Sequence, residues 1–199
     1  MNEQPAFNSP PPAKPQLAAQ ADLALLARIG AGDVHAFREL YEGYQPRLGR
    51  FLSNLIHHPH AVEEVLDDTL MVVWNRAASF KGESKLSTWI FAIAYRKAMK
   101  ALRKLDLPIE DLTAETRESP DAGPDDHLGT SRTHALLRVA MKQLSAEHRA
   151  VVDLTYFHDL SYREIADILE CPVDTVKTRM FYARRHLKRC LEGELTDWI

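Results

Sequence analysis

The chain has 199 residues, of which 45% are hydrophobic, and a formal net charge of −3. Two cysteines are too few for a disulfide framework, and the sequence has neither an apolar run of membrane-spanning length nor a charged-then-apolar leader, which argues against a secreted or membrane protein. We therefore expect a cytoplasmic protein with one large or two small domains.

The acidic excess is confined to one segment. Residues 22–104 carry 12 Lys/Arg against 9 Asp/Glu, residues 105–134 carry 2 against 8, and residues 135–199 carry 10 against 10. Because local charge decides whether a surface attracts nucleic acid, the overall balance does not exclude a DNA-binding protein.

Residues 1–21 are predicted to be a disordered tail. Five prolines precede residue 16 and large apolar side chains are few, so that this stretch cannot bury a core. From Asp22 onward apolar residues recur at helical spacing. Gly30 and Gly32 divide them into two helices, of which the second reaches Ile56 or gives way to a third.

The sequence His57-His58-Pro59-His60 follows and is typical of a loop because of its proline. Clustered histidines raise the alternative of a metal site. Metal ligands need a completing set of donors, and no cysteine or HExxH motif stands nearby. We predict a loop without a metal.

Residues 61–80 are predicted to form a long amphipathic helix, with an apolar face that includes Val65, Leu66 and Val73. Its outer face carries an acidic patch. An ordinary solvated surface is the alternative interpretation, since exposed charge is common. The patch consists of Glu63, Glu64, Asp67 and Asp68.

A turn-rich loop at residues 81–85 leads into a helix that is expected to end near Lys104. Three cations of that helix, Arg96, Lys100 and Arg103, recur on one face with two more beside them, and three aromatic residues lie just upstream. Phosphates need cations and unstacked bases need flat partners, so the combination suits single-stranded nucleic acid. Alternatively the aromatic residues are core, which we favour for Trp89, and the cations only solvate the helix. The cations are Arg96, Lys97, Lys100, Arg103 and Lys104, and the aromatic residues are Trp89, Phe91 and Tyr95.

Residues 105–134 are proline- and glycine-rich, acidic and without periodicity, so we predict a flexible linker. A second helical domain should occupy residues 135–199. Its first two helices are expected at residues 135–144 and 146–156, with Ser145 as the cap of the second.

The end of the chain has the pattern of a helix-turn-helix. Ser161 and Glu164 form a capping box that begins one helix, and Pro172 suits the first position of the next. Val176, Met180, Ala183 and Leu187 repeat on the buried face of that second helix. An αα-hairpin with a solvated charged face is the alternative. The opposite, basic and aromatic face carries Lys177, Thr178, Phe181, Tyr182 and Arg185.

The predicted fold is therefore all-α: two small helical domains joined by an acidic flexible linker, the second ending in a helix-turn-helix. This order of features resembles the bacterial sigma factors of the extracytoplasmic-function, sigma-70-like class. Two sets of motifs carry the resemblance. The first is Glu63-Glu64-Val65-Leu66-Asp67-Asp68-Thr69 through Val73-Trp74, followed by Phe80-Lys81-Gly82-Glu83-Ser84 and Ser87-Thr88-Trp89-Ile90. The second is Leu160-Ser161-Tyr162-Arg163-Glu164-Ile165-Ala166, Cys171-Pro172-Val173 and Thr175-Val176-Lys177-Thr178-Arg179.

The resemblance implies a sigma factor that binds core RNA polymerase, through its beta and beta-prime subunits, and directs initiation at specific promoters. It also implies control by an anti-sigma factor, commonly membrane-tethered, in an envelope or stress response. Residues 22–104 would be sigma region 2 and residues 135–199 sigma region 4. No cofactor or metal is implied.

The resemblance also assigns site residues. Polymerase would be bound by Glu63, Glu64, Asp67 and Asp68. The minus-ten element would be bound by Lys81, Ser84, Lys85, Ser87, Arg96, Lys97 and Lys100. The minus-thirty-five element would be bound by Lys177, Thr178, Arg179, Phe181, Tyr182 and Arg185, with Arg179 and Arg185 on phosphates.

The chain departs from the family pattern at four of its positions. The family usually has Gly where Glu170 stands, often Asn at Arg96 and Asp at Lys100, and often Arg at Tyr182. A helix-turn-helix regulator that binds operator DNA by itself is the main alternative, but no apolar stripe for dimerisation is present. An enzyme is disfavoured, since no nucleophile–base pair, phosphate loop or metal set is found.

Overall fold

The computed structural model describes residues 14–105 and 136–196, with side chains at 18–105 and 136–191. Most of the predicted linker and the first 13 residues of the predicted tail lie outside this part. The described chain is all-α, as predicted, and contains no strand. Its helices are α1 (Lys14–Gly30), α2 (Val34–Ile56), α3 (Pro59–Arg76), α4 (Leu86–Lys104), α5 (136–142), α6 (Ala146–Tyr156), α7 (Tyr162–Leu169) and α8 (Val173–Thr196). None of these helices is both long and apolar enough to cross a membrane.

Helix α1 begins at Lys14, so the expectation that the tail runs to residue 21 is wrong for its last eight residues. Pro15 is tolerated in a first turn, where its missing N–H would be unpaired anyway. Alanines such as Ala18 and Ala19 have the highest helix propensity and extend the helix. Gly32, with φ 86°, then ends it before Asp33 caps α2 through the backbone N–H groups of two following residues.

Helix α3 begins at Pro59, so the predicted histidine loop is in fact a helix junction. His58 is the N-cap of α3 and Pro59 occupies its first position, where the fixed φ of proline suits a helix. His57 ends α2 in the left-handed conformation with φ 56°. At its other end α3 stops at Arg76 and a 3₁₀ turn, Ala77–Ser79, replaces the predicted last helical turn.

The first four helices surround an apolar core. Its largest fully buried side chains include Phe51 on α2 and Phe91 on α4, whose ring centroids lie 5.3 Å apart. The predicted apolar face of α3 is buried at Val65, Leu66 and Val73. Thr69, in the same helix, is buried as well and donates its hydroxyl to the Val65 carbonyl at 2.6 Å.

Helices α6 to α8 confirm the predicted local signals. Ser145 caps α6, and the Ser161–Glu164 capping box begins α7 with both of its hydrogen bonds. Glu170 ends α7 at φ 52°, a conformation that glycine adopts without strain. Pro172 lies one position earlier than predicted: its carbonyl accepts hydrogen bonds from the N–H groups of Thr175 and Val176, so that it precedes the first helical residue of α8.

The two predicted domains are packed against each other, which the sequence did not indicate. Helix α4 of the first contacts α7 of the second, and α2 contacts α6. Buried apolar residues from both halves form one continuous cluster. The face that α4 turns toward α7 therefore lies at an interface.

Candidate nucleic-acid interface

The outer face of α8 presents its side chains to solvent as predicted. Val176, Met180 and Ala183 are buried against the rest of the helix-turn-helix. Phe181 is 61% exposed and Tyr182 54% exposed, with their rings edge to face and their centroids 5.5 Å apart. Large aromatic side chains so exposed on one helix face are typical of an interaction site.

Two polar residues of this face are held by the first turn of α8. Lys177 forms an ion pair with Asp174 at 2.9 Å, and the Thr178 hydroxyl donates to the Asp174 carbonyl at 2.9 Å. Arg185 lies farther along the helix and is exposed. The face thus combines cationic, hydroxyl and aromatic groups, which is the mixture that contacts phosphates and base edges.

Arg179 does not lie with these residues. Its guanidinium contacts the Glu147 carboxylate and lies 3.7 Å from the Cys171 sulfur, and only 19% of its side chain is exposed. Burial raises the pKa of Cys171, partly offset by the charge of Arg179. Arg179 therefore connects α8 to α6 inside the second domain, and the prediction that it flanks the DNA-facing surface does not match its position.

Three cations of α4 and of the preceding loop form ion pairs with carboxylates. Lys97 contacts Asp68 of α3 at 2.7 Å. Across the interface between domains, Lys85 contacts Glu164 and Arg96 contacts Glu170, each at 2.7 Å. The other residues predicted to bind the minus-ten element differ in solvent exposure. Lys81, Ser84 and Lys100 are exposed, whereas Ser87 is half-buried.

The capping-box carboxylate is shared between both domains. Glu164 accepts hydrogen bonds from the backbone and the hydroxyl of Ser161, and it also meets Lys85. Burial alone would raise the pKa of Glu164, but the hydrogen bonds from Lys85 and Ser161 lower it below its usual value. Glu164 is thus held ionised opposite a predicted DNA-binding lysine.

The aromatic residues near these cations belong to the core. Phe91 is fully buried and Tyr95 is 7% exposed, so the suggestion that they stack on bases is wrong. Burial, with Glu147 adding to it, raises the pKa of Tyr95 to about 12. Trp89 is half-buried, as favoured from the sequence, and packs on Phe80 with ring centroids 5.2 Å apart.

The loop before α4 is positioned by the N-terminal helix. Gly82 has φ 72°, a region that favours glycine because it has no Cβ. A Cβ built at Gly82 would lie 3.3 Å from both terminal methyl carbons of Leu23 in α1. The loop that carries Lys81 and Lys85 therefore rests directly on α1.

The acidic patch of α3 is on the surface, as predicted. Glu63, Glu64 and Asp67 are exposed, and Asp68 is exposed while paired to Lys97. Met71 lies on the same helix with 54% of its surface exposed. Carboxylates next to an exposed apolar side chain form a surface suited to a basic protein partner.

A groove of about 690 Å³ was not foreseen from the sequence. It lies between the end of α2 and helices α5, α6 and α8, so that both domains line it. Its apolar lining includes Leu137, Met141 and Leu187, and its rim carries basic side chains such as Arg138 and Arg184. Its parts come from segments distant in sequence, and so no local pattern could have indicated it.

The histidine cluster does not form a metal site in the described residues, where no group of three or more potential ligands converges. The His57 imidazole instead accepts from the Arg149 guanidinium. Burial, followed by the charges of Arg149 and Lys142, lowers the pKa of His57 to about 4. His57 is thus neutral and faces the second domain.

Comparison with known families identifies two matches. The family model for sigma-70 region 2 matches residues 40–107, and that for sigma-70 region 4 matches residues 134–187. Among curated proteins, the chain is 32% identical to the ECF RNA polymerase sigma factor RpoE of Cereibacter sphaeroides, over 79% of this chain and 87% of that one. It is 30% identical to the RNA polymerase sigma factor YlaC of Bacillus subtilis, over 77% of this chain and 91% of that one.

Two solved structures share the fold. The structure of CnrH in complex with the cytosolic domain of CnrY matches with a TM-score of 0.64 at 23% identity, covering 87% of this chain and 98% of that one. The sigma factor RpoE in complex with the anti-sigma factor NepR, from Bartonella quintana, matches with a TM-score of 0.58 at 26% identity, covering 80% and 98%.

Proposed function

The chain belongs to the sigma-70 family of RNA polymerase sigma factors, in its extracytoplasmic-function class, and from this premise we propose which surface performs each part of its work. Its function is promoter-specific initiation of transcription. The proposal rests on one observation above others: an exposed acidic helix face, a cationic helix and an exposed recognition helix follow each other in the order of regions 2 and 4. We assign no catalytic step to the chain, and we place it in the cytoplasm with its polymerase.

The acidic patch of α3 is the proposed contact with the beta-prime subunit of core polymerase. Glu63, Glu64 and Asp67 are exposed on adjacent turns, and Asp68 completes the patch. Opposite charges on a partner raise the rate of association and fix its orientation. Residues 22–104, as region 2, would bind polymerase and melt the minus-ten element.

Two faces are proposed to contact promoter DNA. In the first domain, Lys81, Ser84, Lys85 and Ser87 of the loop and Arg96, Lys97 and Lys100 of α4 would hold the unpaired minus-ten strand, whose phosphates need cations. In the second, at residues 135–199, α8 would enter the major groove of the minus-thirty-five element. Its proposed base-reading residues are Lys177, Thr178, Phe181 and Tyr182, and Arg185 would contact phosphate. Arg179 would act by supporting α8 rather than by touching DNA.

Control by an anti-sigma factor is proposed from the two related complexes and from the groove. Because α2 and α8 both line the groove, a segment bound there holds the two domains together. The basic rim and apolar floor favour a segment with acidic and apolar side chains. We propose that an anti-sigma factor supplies that segment.

The test of the function is a run-off transcription assay with core polymerase and fragments of the genome that encodes the chain. Core polymerase with the chain should start at a defined set of promoters, whereas core polymerase alone should not. Asp67→Lys should abolish co-elution with core polymerase, because it places a cation opposite a basic partner. Glu42→Lys makes the same change of sign at an exposed site of α2 and should co-elute normally. Equal co-elution of both variants would remove the α3 patch from the proposal.

A further inference from the structure

A buried aromatic contact joins the two domains. His158, in the connection between α6 and α7, is 8% exposed. Its ring packs against both Phe51 of α2 and Phe91 of α4, with centroid distances of 6.1 Å and 4.6 Å. Since both phenylalanines belong to the core of the first domain, the second domain completes that core.

Arg149 forms the second connection. It is 6% exposed and donates to the carbonyl oxygens of Asn54 and Leu55 at 2.9 Å and 3.4 Å. These carbonyls lie at the end of α2, where a helix leaves its own acceptors unpaired. Within its own domain Arg149 also donates to the carbonyls of Met141, Lys142 and Leu144. If the domains separate, Arg149 keeps these partners in its own domain.

The third connection is a buried amide–carboxylate pair. The Asn54 side-chain amide donates to Asp153, which is fully buried. Asp153 also lies 3.1 Å from the His158 imidazole. A buried carboxylate needs such partners, and here one of them comes from the other domain.

Besides these buried contacts, carboxylates of the second domain form ion pairs with cations of the first. Glu164 meets Lys85 and Glu170 meets Arg96. Lys85 and Arg96 are 72% and 54% exposed, and exposed ion pairs of this kind contribute little energy by themselves. Their importance is positional: α7 packs against α4, and each pair sets a carboxylate beside a cation that is proposed to bind phosphate.

We infer that the free chain is autoinhibited in this closed form: the helix-turn-helix domain occupies the strand-binding face of the first domain, with Glu164 and Glu170 in the place of phosphates. The assignment of that face rests on the proposed function. The closed form itself rests on His158, Arg149 and Asn54, with no partner protein required. Closure and binding of a single strand exclude each other, so the affinity of the free chain for DNA is reduced by the fraction of molecules that are open.

The experiment uses the full chain with Asn54→Asp. This isosteric change places a second carboxylate against the buried Asp153 and should therefore separate the domains. In the open chain the new carboxylate would simply be exposed to solvent. Asn75→Asp is the matched control, since it makes the same change at an exposed position of α3. Small-angle X-ray scattering measures closure without any nucleic acid. Fluorescence anisotropy with a labelled oligomer of 20 thymidines measures single-strand binding.

Asn54→Asp should increase the radius of gyration and raise affinity for the oligomer by about fivefold or more, as expected if most molecules are closed. Asn75→Asp should do neither. Equal radii of gyration for the two variants would overturn the closed form and leave the sigma-factor assignment untouched. A larger radius without a gain in affinity would overturn the inhibition.

A second pair of variants tests the proposal without a change at Asn54, where a substitution can disturb folding. Glu170→Gln removes the carboxylate that meets Arg96, and Asp167→Asn removes an exposed carboxylate of α7 that forms no ion pair with the described residues. Glu170→Gln should raise affinity for the oligomer by about twofold, as expected for a weak exposed pair, and Asp167→Asn should not. Equal affinities would overturn the assignment of Glu170 as a substitute for phosphate.

Discussion

Arg96 and Glu170 face each other across the two domains, with the guanidinium Nη1 2.7 Å from the carboxylate Oε1. The resemblance to the sigma-factor family led to the expectation of Asn and Gly at these two positions, so that each residue differs from that expectation. The two departures are thus partners in one ion pair. A cation on α4, the proposed strand-binding helix, is matched by an anion at the turn of the helix-turn-helix.

The pair makes Glu170→Gly informative. Glutamate at φ 52° carries a strain of roughly 1 kcal/mol that glycine would relieve, while the exposed pair with Arg96 contributes at most about 1 kcal/mol. We expect Glu170→Gly to leave stability toward urea unchanged or to raise it by up to about 1 kcal/mol. Arg96→Ala removes the pair without relieving the turn and should not stabilise. A clear loss of stability in Glu170→Gly would show that the pair outweighs the strain.

Arg149→Lys should destabilise the chain by about 2 kcal/mol or more, because an ammonium has three donors and cannot reach all the carbonyls that the guanidinium joins. Burial lowers the pKa of Arg149 to about 10, so it remains charged at neutral pH. Thermal unfolding followed by circular dichroism measures the effect. Arg163→Lys, at an exposed site of α7, is the control and should change the midpoint little. Similar midpoints for both variants would contradict the role of Arg149.

Acid should open the closed form through His57. Burial, with the charges of Arg149, Lys142 and His58, lowers the pKa of His57 to about 4 from an ordinary 6.5. Above pH 6.5 the imidazole is neutral in both forms. As the pH falls from 6.5 toward 4, the open form takes up a proton and the closed form does not, so closure is progressively lost.

Scattering curves at pH 7.5 and pH 5.5, both chosen to bracket the ordinary histidine pKa of about 6.5, should show a larger radius of gyration in acid. His57→Gln should weaken this dependence, and His35→Gln, at an exposed site of α2, should not. His148 also has a lowered pKa, by burial and then by Arg179, but its charged neighbours lie within its own domain. A pH dependence that persists unchanged in His57→Gln would contradict the prediction.

On the recognition helix, Lys177→Ala and Phe181→Ala should relax sequence preference in the minus-thirty-five element. Contacts to base edges discriminate by about 1–3 kcal/mol each. Arg185→Ala should instead weaken binding to all promoter sequences alike. It should also reduce the slope of log affinity against log salt concentration by about one. Both effects are measured with polymerase holoenzyme on single-base variants of one promoter. A shift of base preference in Arg185→Ala alone would mean that α8 presents a different face to DNA.

Local structure could be predicted because its causes are local. The capping box of Ser161 and Glu164 and the apolar repeat at Val176, Met180 and Ala183 are set by residues within two turns of each other, and the structure confirms them. The start of α3 was misjudged because Pro59 favours a helix start as well as a loop.

The packing of the domains could not be predicted, because its causes lie far apart in the sequence. Arg149, Asp153 and His158 are polar residues that a local pattern assigns to solvent. Their burial follows from the second domain meeting α2, roughly 100 positions earlier. Arg96 and Glu170 are likewise distant, 74 positions apart, and nothing in the local sequence connects their charges. Contacts between residues that are far apart in the sequence do not affect the spacing of apolar residues from which helices are predicted.

The contact between Gly82 and Leu23 connects the loop before α4, which is proposed to hold the minus-ten strand, to the N-terminal helix. Leu23 belongs to α1, a helix to which no polymerase or DNA contact is assigned, yet its methyl groups lie so close to Gly82 that a Cβ there would be 3.3 Å from them. Movement of α1 would therefore alter the packing at Gly82, and we expect it to change the position of the loop that carries Lys81 and Lys85. A protein that binds α1 would then act on this loop without contacting DNA.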